Sequence, residues 1–178
     1  MNIIVRNLYV KEFCFGSFRE QTLFLDNINS PQKIVLENTY GELYYCYVFY
    51  NSIAQEKEFI LSFSSDSAKE NINICFWIDK NIVIISFDSS IYLIDNKECR
   101  VIEEIELTSP LIGLYQINEN KMLVLEETYV RTINPNGKIV QDMKTDLIED
   151  FNFQDHILYV FAEDNKYIYK FLILRKHT

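Results

Sequence analysis

The segment CFWIDKNIVIISFDSSIYLID at residues 75–95 gives the clearest indication of the fold, because it consists of three short apolar runs separated by two polar breaks. Apolar runs of about four to eight residues, bounded by Asp, Asn and Ser, are typical of β-strands. Asp, Asn and Ser form turns readily because their side chains hydrogen-bond to the local backbone. The segment therefore predicts three consecutive strands connected by tight turns.

This three-strand pattern recurs twice further along the chain, at residues 114–135 and 151–171. When the copies are aligned, Phe76, Leu114 and Phe151 fall into register, 38 and 37 residues apart. Recurrence of one supersecondary unit indicates a repeat protein, in which each unit stacks on its neighbours to bury its apolar faces. The repetition therefore predicts a scaffold built from copies of one unit.

A second set of positions repeats with the same spacing. Ile91, Tyr129 and Tyr167 are separated by 38 residues each, and a fainter earlier copy places Tyr44 38 residues before Ile82. The repeat region therefore extends over about residues 40–174.

Two local features support an all-β reading. The tetrapeptide NPNG at 134–137 is a hairpin signal, because Asn-Gly supplies the positive φ angles that a tight turn requires. The strip TYGELYYCYVFYN at 39–51 carries apolar side chains at both alternating sets of positions, which predicts a central strand buried on both faces. Only residues 51–59 and 66–72 hint at helix, and the N-terminal region is expected to form strands at 2–10, 12–18, 21–26 and 33–37.

A period near 40 residues with three or four short strands resembles the blade repeat of β-propeller proteins of the quinoprotein-like or WD40-like class. The sequence departs from that pattern in lacking a Trp-Asp dipeptide at a strand end and a Gly-His pair. The prediction is a single all-β domain over residues 1–178, an antiparallel meander of about four propeller-like repeats. It is either a small or incomplete propeller, with residues 2–10 pairing beside the last strand, or an open curved sheet or sandwich.

Residues suited to catalysis or metal binding are sparse. His156 opens a predicted strand and His177 lies in a basic tail, while the four glycines are too far apart to form a phosphate-binding loop. The cysteines show no CxxC spacing, and they are expected to fill core positions; they are Cys14, Cys46, Cys75 and Cys99. With 26 acidic residues, no carboxylate pair stands out as a catalytic pair. The prediction is a non-enzymatic protein without cofactor or metal.

The charge of the chain is negative and unevenly distributed. The net charge is −9, and residues 79–164 contain 17 acidic against 7 basic residues. Such a surface repels phosphate backbones, which disfavours direct nucleic-acid binding and favours a basic protein partner. The alternative is that the charge only keeps the protein soluble.

Acidic residues cluster in three segments, and alternation along a strand places Glu104 and Glu106 on one side with Ile105 toward the core. We expect these carboxylates to form a docking face for a basic protein; the alternative is a solvated strand edge that resists aggregation. The predicted partner-binding residues are Glu103, Glu104, Glu106, Glu126, Glu127, Asp142, Asp146, Glu149 and Asp150.

In size, acidity, lack of catalytic motifs and Asn-, Ile- and Lys-rich composition, the chain resembles bacterial immunity proteins that neutralise a toxin. The resemblance implies a monomer that binds one toxin, a basic protein of the nuclease type, and occludes its active site or substrate groove. The N-terminal region lacks the pattern of a signal peptide, and the longest apolar run, 43–50, is too short to span a bilayer, so a cytoplasmic location without membrane contact is expected. The alternatives are a protein-interaction scaffold built on propeller-like repeats, and a hydrolase or lyase on the same fold.

Overall fold

The computed structural model consists almost entirely of antiparallel strands, and it describes residues 3–5, 8–29, 32–37, 39–51, 53, 56–154, 157–162 and 165–170. The described residues contain one α-helix, α1 (Phe18–Asn27). The strands are β1 (Ile3–Val5), β2 (Leu8–Phe15), β3 (Lys33–Val35), β4 (Leu43–Asn51), β5 (Lys57–Ser65), β6 (Asn73–Trp77), β7 (Ile82–Phe87), β8 (Ser90–Asp95), β9 (Arg100–Glu106), β10 (Leu111–Asn118), β11 (Lys121–Glu126), β12 (Tyr129–Ile133), β13 (Ile139–Lys144), β14 (Ile148–Gln154), β15 (Ile157–Ala162) and β16 (Asn165–Lys170).

The strands form four sheets, numbered here in chain order. Sheet 1 has the order β1-β2-β4-β5-β3, sheet 2 is β6-β7-β8-β9, sheet 3 is β10-β11-β12-β13, and sheet 4 is β14-β15-β16. Neighbouring strands are antiparallel except for β3 and β5, which are parallel. The predicted all-β meander of about four three- or four-stranded repeats is confirmed.

The repeat register predicted from the sequence is also confirmed. Phe76, Leu114 and Phe151 lie in the first strands of sheets 2, 3 and 4, respectively. The second repeated set lies in the third strands, β8, β12 and β16. In the fainter copy, Tyr44 lies in β4 as Ile82 lies in β7, although sheet 1 has five strands where sheet 2 has four, and its strand β3 is parallel to β5.

Strand β7 shows why the repeats must stack. Val83 and Ile85 lie in the core shared with sheet 1, whereas Ile82 and Ile84 lie in the core shared with sheet 3. Because successive side chains point to opposite faces, a strand in the middle of a stack needs apolar residues at every position. Each buried isoleucine side chain contributes about 1.5–3 kcal/mol to folding.

Three such cores join the four sheets in chain order. Between sheets 1 and 2 the core is aromatic, with the rings of Phe63 and Phe87 stacked at a centroid distance of 4.1 Å. The core between sheets 3 and 4 is aliphatic and consists of Ile117, Leu123, Leu125, Val130, Ile148, Leu158 and Val160.

The NPNG segment forms the β12–β13 turn, as its sequence predicts. Gly137 has a φ of +76°, and its N–H donates to the carbonyl oxygen of Asn134 at 2.9 Å. The Oδ1 atom of Asn134 accepts from the N–H groups of Asn136 and Lys138 at 3.0 and 3.1 Å. A Cβ at position 137 would come within 2.4 Å of the Cβ of Glu103, so this turn packs directly on strand β9 of sheet 2.

The strand predicted at 21–26 is wrong, because those residues belong to helix α1. Ser17 is the N-cap, and its Oγ accepts from the N–H of Glu20 at 3.3 Å. The carboxylate of Glu20 in turn accepts from the N–H of Gly16 at 3.2 Å. This is close to the reciprocal Ser-x-x-Glu capping arrangement, a helix-start signal present in the sequence that the strand prediction overlooked.

Helix α1 is stabilised by packing on one face of sheet 1. Phe24 and Leu25 pack on the core of Cys46, Val48 and Ile60. This packing explains why strand β4 is buried on both faces, as predicted for the strip at 39–51.

Buried Gln21 fixes the position of the helix on the sheet. Its Nε2 donates to the carbonyl oxygens of Tyr45 and Phe63 at 3.0 and 3.1 Å. These two carbonyls belong to the paired strands β4 and β5, so one side chain joins the helix to both strands.

Other N-terminal expectations are corrected. Strand β1 pairs with β2, and no ladder among the described strands joins it to β16, so the expected pairing of residues 2–10 beside the last strand is not observed. The hinted helix at 66–72 is a single 3₁₀ turn at Lys69–Asn71, and β5 begins within the hinted helix at 51–59. Cys14 is exposed, and therefore does not fill a core position.

No helix of the described chain has the length and apolar character needed to cross a membrane.

Candidate functional site

The predicted partner-binding residues lie on three sheets, mostly at sheet edges. Strand β9 is an edge of sheet 2, β13 is an edge of sheet 3, and β14 is an edge of sheet 4. Eight of the nine carboxylates are exposed or half-buried, and the ninth, Glu126, is fully buried. On β9 are Glu103, Glu104 and Glu106; at the end of β11 are Glu126 and Glu127; and on or between β13 and β14 are Asp142, Asp146, Glu149 and Asp150.

Glu126 does not belong to the exposed face that the sequence predicted. Its side chain is 0% exposed and its Oε1 lies 3.0 Å from Nε of Arg131, which is itself buried. The other carboxylate oxygen accepts from the N–H groups of Thr108 and Ser109 at 2.7 and 2.9 Å. A buried carboxylate with a cation and two amide donors is a structural group, because its charge is already compensated inside the protein.

Arg131 extends this network to the chain segment that connects sheets 2 and 3. Its guanidinium donates to the carbonyl oxygen of Glu106 at 3.3 Å and to the hydroxyl of Thr108, and it lies 4.8 Å from the ring centre of Tyr129. The ion pair of Glu126 and Arg131 therefore joins the end of β9 to the third sheet.

The three glutamates of β9 do not share one face. Ile105 is buried in the core with sheet 3, and Glu104 and Glu106 lie opposite Tyr92 and Ser90, on the other side of the strand, as alternation predicts. Glu103 pairs with Leu93 and faces the same side as Ile105, where it meets the β12–β13 turn.

Glu104 is held by its own sheet. Its Oε1 accepts from the Tyr92 hydroxyl at 2.9 Å and from the Ser90 hydroxyl at 3.2 Å. Burial raises the pKa of Tyr92 to about 12, and the hydrogen bond to Glu104 acts in the same direction because an ionised phenol would lose it. Glu104 is therefore partly committed to this local network.

A different group of residues combines exposed apolar and acidic side chains. We call the segment 139–154 the β13–β14 surface; its two strands are edges of different sheets. All six residues of β13 are exposed, including Val140, whose exposed fraction is 50%. Outside β13, the apolar side chains of Leu147 (50% exposed) and Phe153 (41% exposed) are also accessible. The same segment carries the carboxylates of Asp142, Asp146, Glu149 and Asp150, with Lys144 as its one cationic residue.

The β13–β14 surface combines carboxylates with exposed apolar side chains. Sequence reasoning selected its carboxylates but missed its apolar residues, because apolar side chains in a strand, such as Ile139, Val140 and Met143, are ordinarily buried. The aromatic side chain of Phe153 is held in place by Tyr115, whose ring centroid is 5.1 Å away. Exposed apolar side chains beside carboxylates are a common composition of protein-binding surfaces.

A second site, which we call the loop cleft, has a volume of about 530 Å³ and lies at the loop end of sheet 2. Its described lining includes two carboxylates and no Lys, Arg or His side chain. The lining residues are Ser67, Glu70, Asn71, Asn73, Ser86, Phe87, Asp88, Ser89, Leu107, Thr108, Ser109, Pro110, Leu111 and Ile112.

Asp88 is positioned in the loop cleft by two serines. It occupies the β7–β8 turn with a φ of +49°, and its Oδ1 accepts from the hydroxyls of Ser65 and Ser67 at 2.9 and 2.7 Å. The N–H of Asp88 donates to the Oγ of Ser67 at 3.1 Å. Asp tolerates this left-handed conformation better than most residues.

Ser86 is the second notable residue of the loop cleft. It is only 2% exposed, and its Oγ has no hydrogen-bond partner among the described residues. A buried hydroxyl without a partner costs about 1–3 kcal/mol. No sequence motif marks Ser86, and only its position in the fold identifies it.

His156 and His177 lie outside the described residues. Within the described ranges, no three His, Cys, Asp or Glu side chains come close enough together to hold a metal ion.

No protein-family model matches the chain, and no curated protein matches it. Among solved structures, it is similar to the dihydro-heme d1 dehydrogenase NirN, with a TM-score of 0.51, 13% identity and coverage of 73% of this chain and 32% of NirN. It is also similar to BamB from Moraxella catarrhalis, with a TM-score of 0.49, 15% identity and coverage of 76% and 43%. For Hsv2 from Kluyveromyces lactis the TM-score is 0.47, with 14% identity and coverage of 72% and 42%.

These solved structures are β-propeller proteins, and the similarity concerns the fold alone. The similarity to NirN agrees with the four stacked sheets and supports the predicted propeller-like repeats. The chain spans about a third of the length of NirN and less than half of the length of BamB and Hsv2.

Proposed function

We propose that this protein is a non-catalytic interaction module that binds a basic protein partner through the β13–β14 surface. The observation that carries the proposal is the exposure of the apolar side chains of Val140 and Leu147 along the segment that also carries four carboxylates. Burial of the apolar groups supplies affinity, and the carboxylates attract a cationic surface and select against acidic ones.

The position of β13 adds a further means of recognition. As an edge strand it presents backbone N–H and C=O groups along its free side, and a partner strand can pair with these groups. Charged residues on an edge strand also prevent unwanted pairing, so Asp142 and Lys144 select which strand can approach.

The test uses a complex reconstituted from the purified protein and a partner obtained by affinity capture from the native host. The triple variant Asp146→Lys, Glu149→Lys, Asp150→Lys should lower the association rate at least tenfold at low salt and reduce its salt dependence, since these carboxylates attract the partner. The matched control carries the same charge change at three exposed acids of the N-terminal region, Asp26, Glu37 and Glu42.

A second variant separates the apolar contribution. Val140→Ser with Leu147→Ser should mainly raise the dissociation rate, because contacts made in the complex are lost while the charges remain. If the charge variant and the apolar variant both bind like the wild type, the β13–β14 surface is only solvated surface and the proposal fails.

The narrower hypothesis is that the partner is a toxin, in which case the protein is an immunity protein that covers the toxin's active site or substrate groove. The acidity of the chain and its sparse catalytic residues support this hypothesis. It predicts a toxin gene beside this gene and survival of cells that express the toxin domain together with this protein. A gene neighbourhood without a toxin, or cell death despite co-expression, would leave the general interaction module as the function.

A further inference from the structure

We infer that the loop cleft receives a lysine or arginine side chain of the protein partner. This inference rests on the proposed function, because the side chain belongs to the partner that covers the β13–β14 surface. It adds a defined anchor site to a surface that otherwise recognises charge and apolar area.

The electrostatic composition of the loop cleft favours a cation. Glu70 and Asp88 both line it, and no Lys, Arg or His occurs among its described lining residues. Asp88 is held by two serine hydroxyls through Oδ1, which leaves Oδ2 without a hydrogen bond to the described chain. A carboxylate fixed in this way can accept from an ammonium or guanidinium group without first losing side-chain freedom.

Ser86 provides an independent indication that a ligand enters the cleft. Its hydroxyl is buried, lines the cleft and has no partner in the described structure. Asn73 lies directly opposite Ser86 on β6 and therefore on the same face of the sheet. Among the described residues, its amide makes one hydrogen bond, a long one of 3.4 Å to the carbonyl oxygen of Asn71. A cationic side chain with several N–H donors would satisfy the Ser86 oxygen and the nearby amide oxygen.

The remaining lining suits the rest of a long basic side chain. Phe87, Leu107 and Leu111 supply apolar contacts for the aliphatic stem of lysine or arginine. The volume of about 530 Å³ lies in the range of small-ligand sites, so the side chain enters together with water.

Backbone hydrogen bonds connect the loop cleft to the β13–β14 surface. The N–H of Glu127 donates to the carbonyl oxygen of Pro110, a lining residue, at 2.9 Å. The carbonyl oxygen of Glu127 accepts from the N–H of Ile148, the first residue of β14, at 2.8 Å. Glu127, which was predicted from the sequence as a partner-binding residue, therefore lies between a lining residue of the cleft and the first residue of β14.

The test is an NMR titration of the isotope-labelled full chain with the capped peptides Ac-Gly-Lys-Gly-NH₂ and Ac-Gly-Arg-Gly-NH₂. We expect saturable shifts centred on the amides of Ser86, Asp88 and Ser109. The same peptides with norleucine or glutamate at the middle position should cause no such shifts. Equal shifts with the norleucine peptide, or no saturable shift with either basic peptide, would overturn the inference.

Variants of the cleft make the test specific. Glu70→Gln with Asp88→Asn should raise the Kd of the lysine peptide at least tenfold, and Ser86→Ala should raise it about threefold. Asn is tolerated at position 88 because it also accepts a positive φ. The control with one removed charge is Glu37→Gln, which is exposed and does not line the cleft; an equal loss in this control would show a general charge effect and contradict the inference.

Two comparisons separate a partner side chain from a free amine, and the cleft inference from the proposed function. Tighter binding of butylamine than of the lysine peptide would overturn the assignment to a partner side chain, because a peptide should gain from its flanking backbone. If the peptides bind in the cleft but the β13–β14 variants leave the partner complex unchanged, the proposed function fails while the cationic site stands. If the partner complex depends on the β13–β14 surface but the peptides do not bind, only the cleft inference fails.

Discussion

Replacement of Glu126 by Gln removes one charge from the buried ion pair that joins sheets 2 and 3. In the wild type, the Glu126 carboxylate accepts from the N–H groups of Thr108 and Ser109 and pairs with Arg131 at 3.0 Å. A glutamine has one oxygen and one NH₂ group, so it cannot serve the two amide donors and the guanidinium together. Arg131, which is 7% exposed, is left as a buried cation without a counter-charge.

The expected loss of stability follows from that geometry. Removal of one partner from a buried ion pair costs about 3–5 kcal/mol, because the remaining charge stays desolvated. For a protein of this size, 1 kcal/mol corresponds to about 2–4 °C in Tm, so Glu126→Gln should lower Tm by about 6–20 °C. The measurement is thermal and urea unfolding followed by circular dichroism.

The adjacent residue is the matched control. Glu127 is half-buried and contributes backbone hydrogen bonds that Glu127→Gln leaves in place, so this variant should stay within about 0.5 kcal/mol of the wild type. The double variant Glu126→Gln, Arg131→Met should recover at least half of the loss, because the glutamine oxygen still accepts from the Thr108 and Ser109 N–H groups and no unpaired charge remains. If Glu126→Gln is as stable as Glu127→Gln, the interpretation of this pair as a structural link is refuted.

Three further predictions concern single groups. Gly137→Ala should cost about 2–4 kcal/mol in urea unfolding, because φ is +76° there and the added Cβ meets strand β9. Gly16→Ala should change stability little, because its Cβ would only contact Glu20 Oε2 at 3.9 Å and φ is not positive; equal effects would contradict the turn geometry. Tyr92 should titrate near pH 12 in absorbance at 295 nm, and because the unfolded phenol ionises near 10, its contribution to stability should be lost between about pH 10 and 12, an effect that Tyr92→Phe should remove. At pH 8, exposed Cys14 should react rapidly with a thiol reagent, whereas Cys75, whose pKa burial raises to about 12, should react only on unfolding; a rapid reaction at Cys75 would show that its thiol is accessible.

The repeats were predictable because their determinants are local. The apolar runs and the Asp-Ser and Asn-Gly breaks specify strands and turns within a few residues of chain. Helix α1 was not predictable in the same way. Its Ser-x-x-Glu start is a short signal, and the helix is also held by Gln21 and Phe24, which contact strands β4 and β5 far along the chain.

The candidate sites depended even more on tertiary contacts. The sequence indicated the carboxylates of the β13–β14 surface, but whether the apolar residues among them are buried depends on the next sheet, which leaves β13 exposed. The loop cleft is formed by segments around residues 67, 88 and 109, which no local pattern relates to one another.

The strands of the repeats, their turns and the need of each repeat to stack follow from the sequence alone, because side-chain alternation and turn chemistry act over neighbouring residues. The role of each charge depends on tertiary contacts. Glu126 and Glu127 are adjacent in the sequence, yet one is a buried counter-ion and the other borders the surface, because Arg131 and the segment from sheet 2 reach only the first. On β9, a register shift between the partners of Leu93 and Ile94 sets which glutamates face each side. A one-residue shift reverses the faces of a strand, and only the pairing of the folded sheets determines where it occurs.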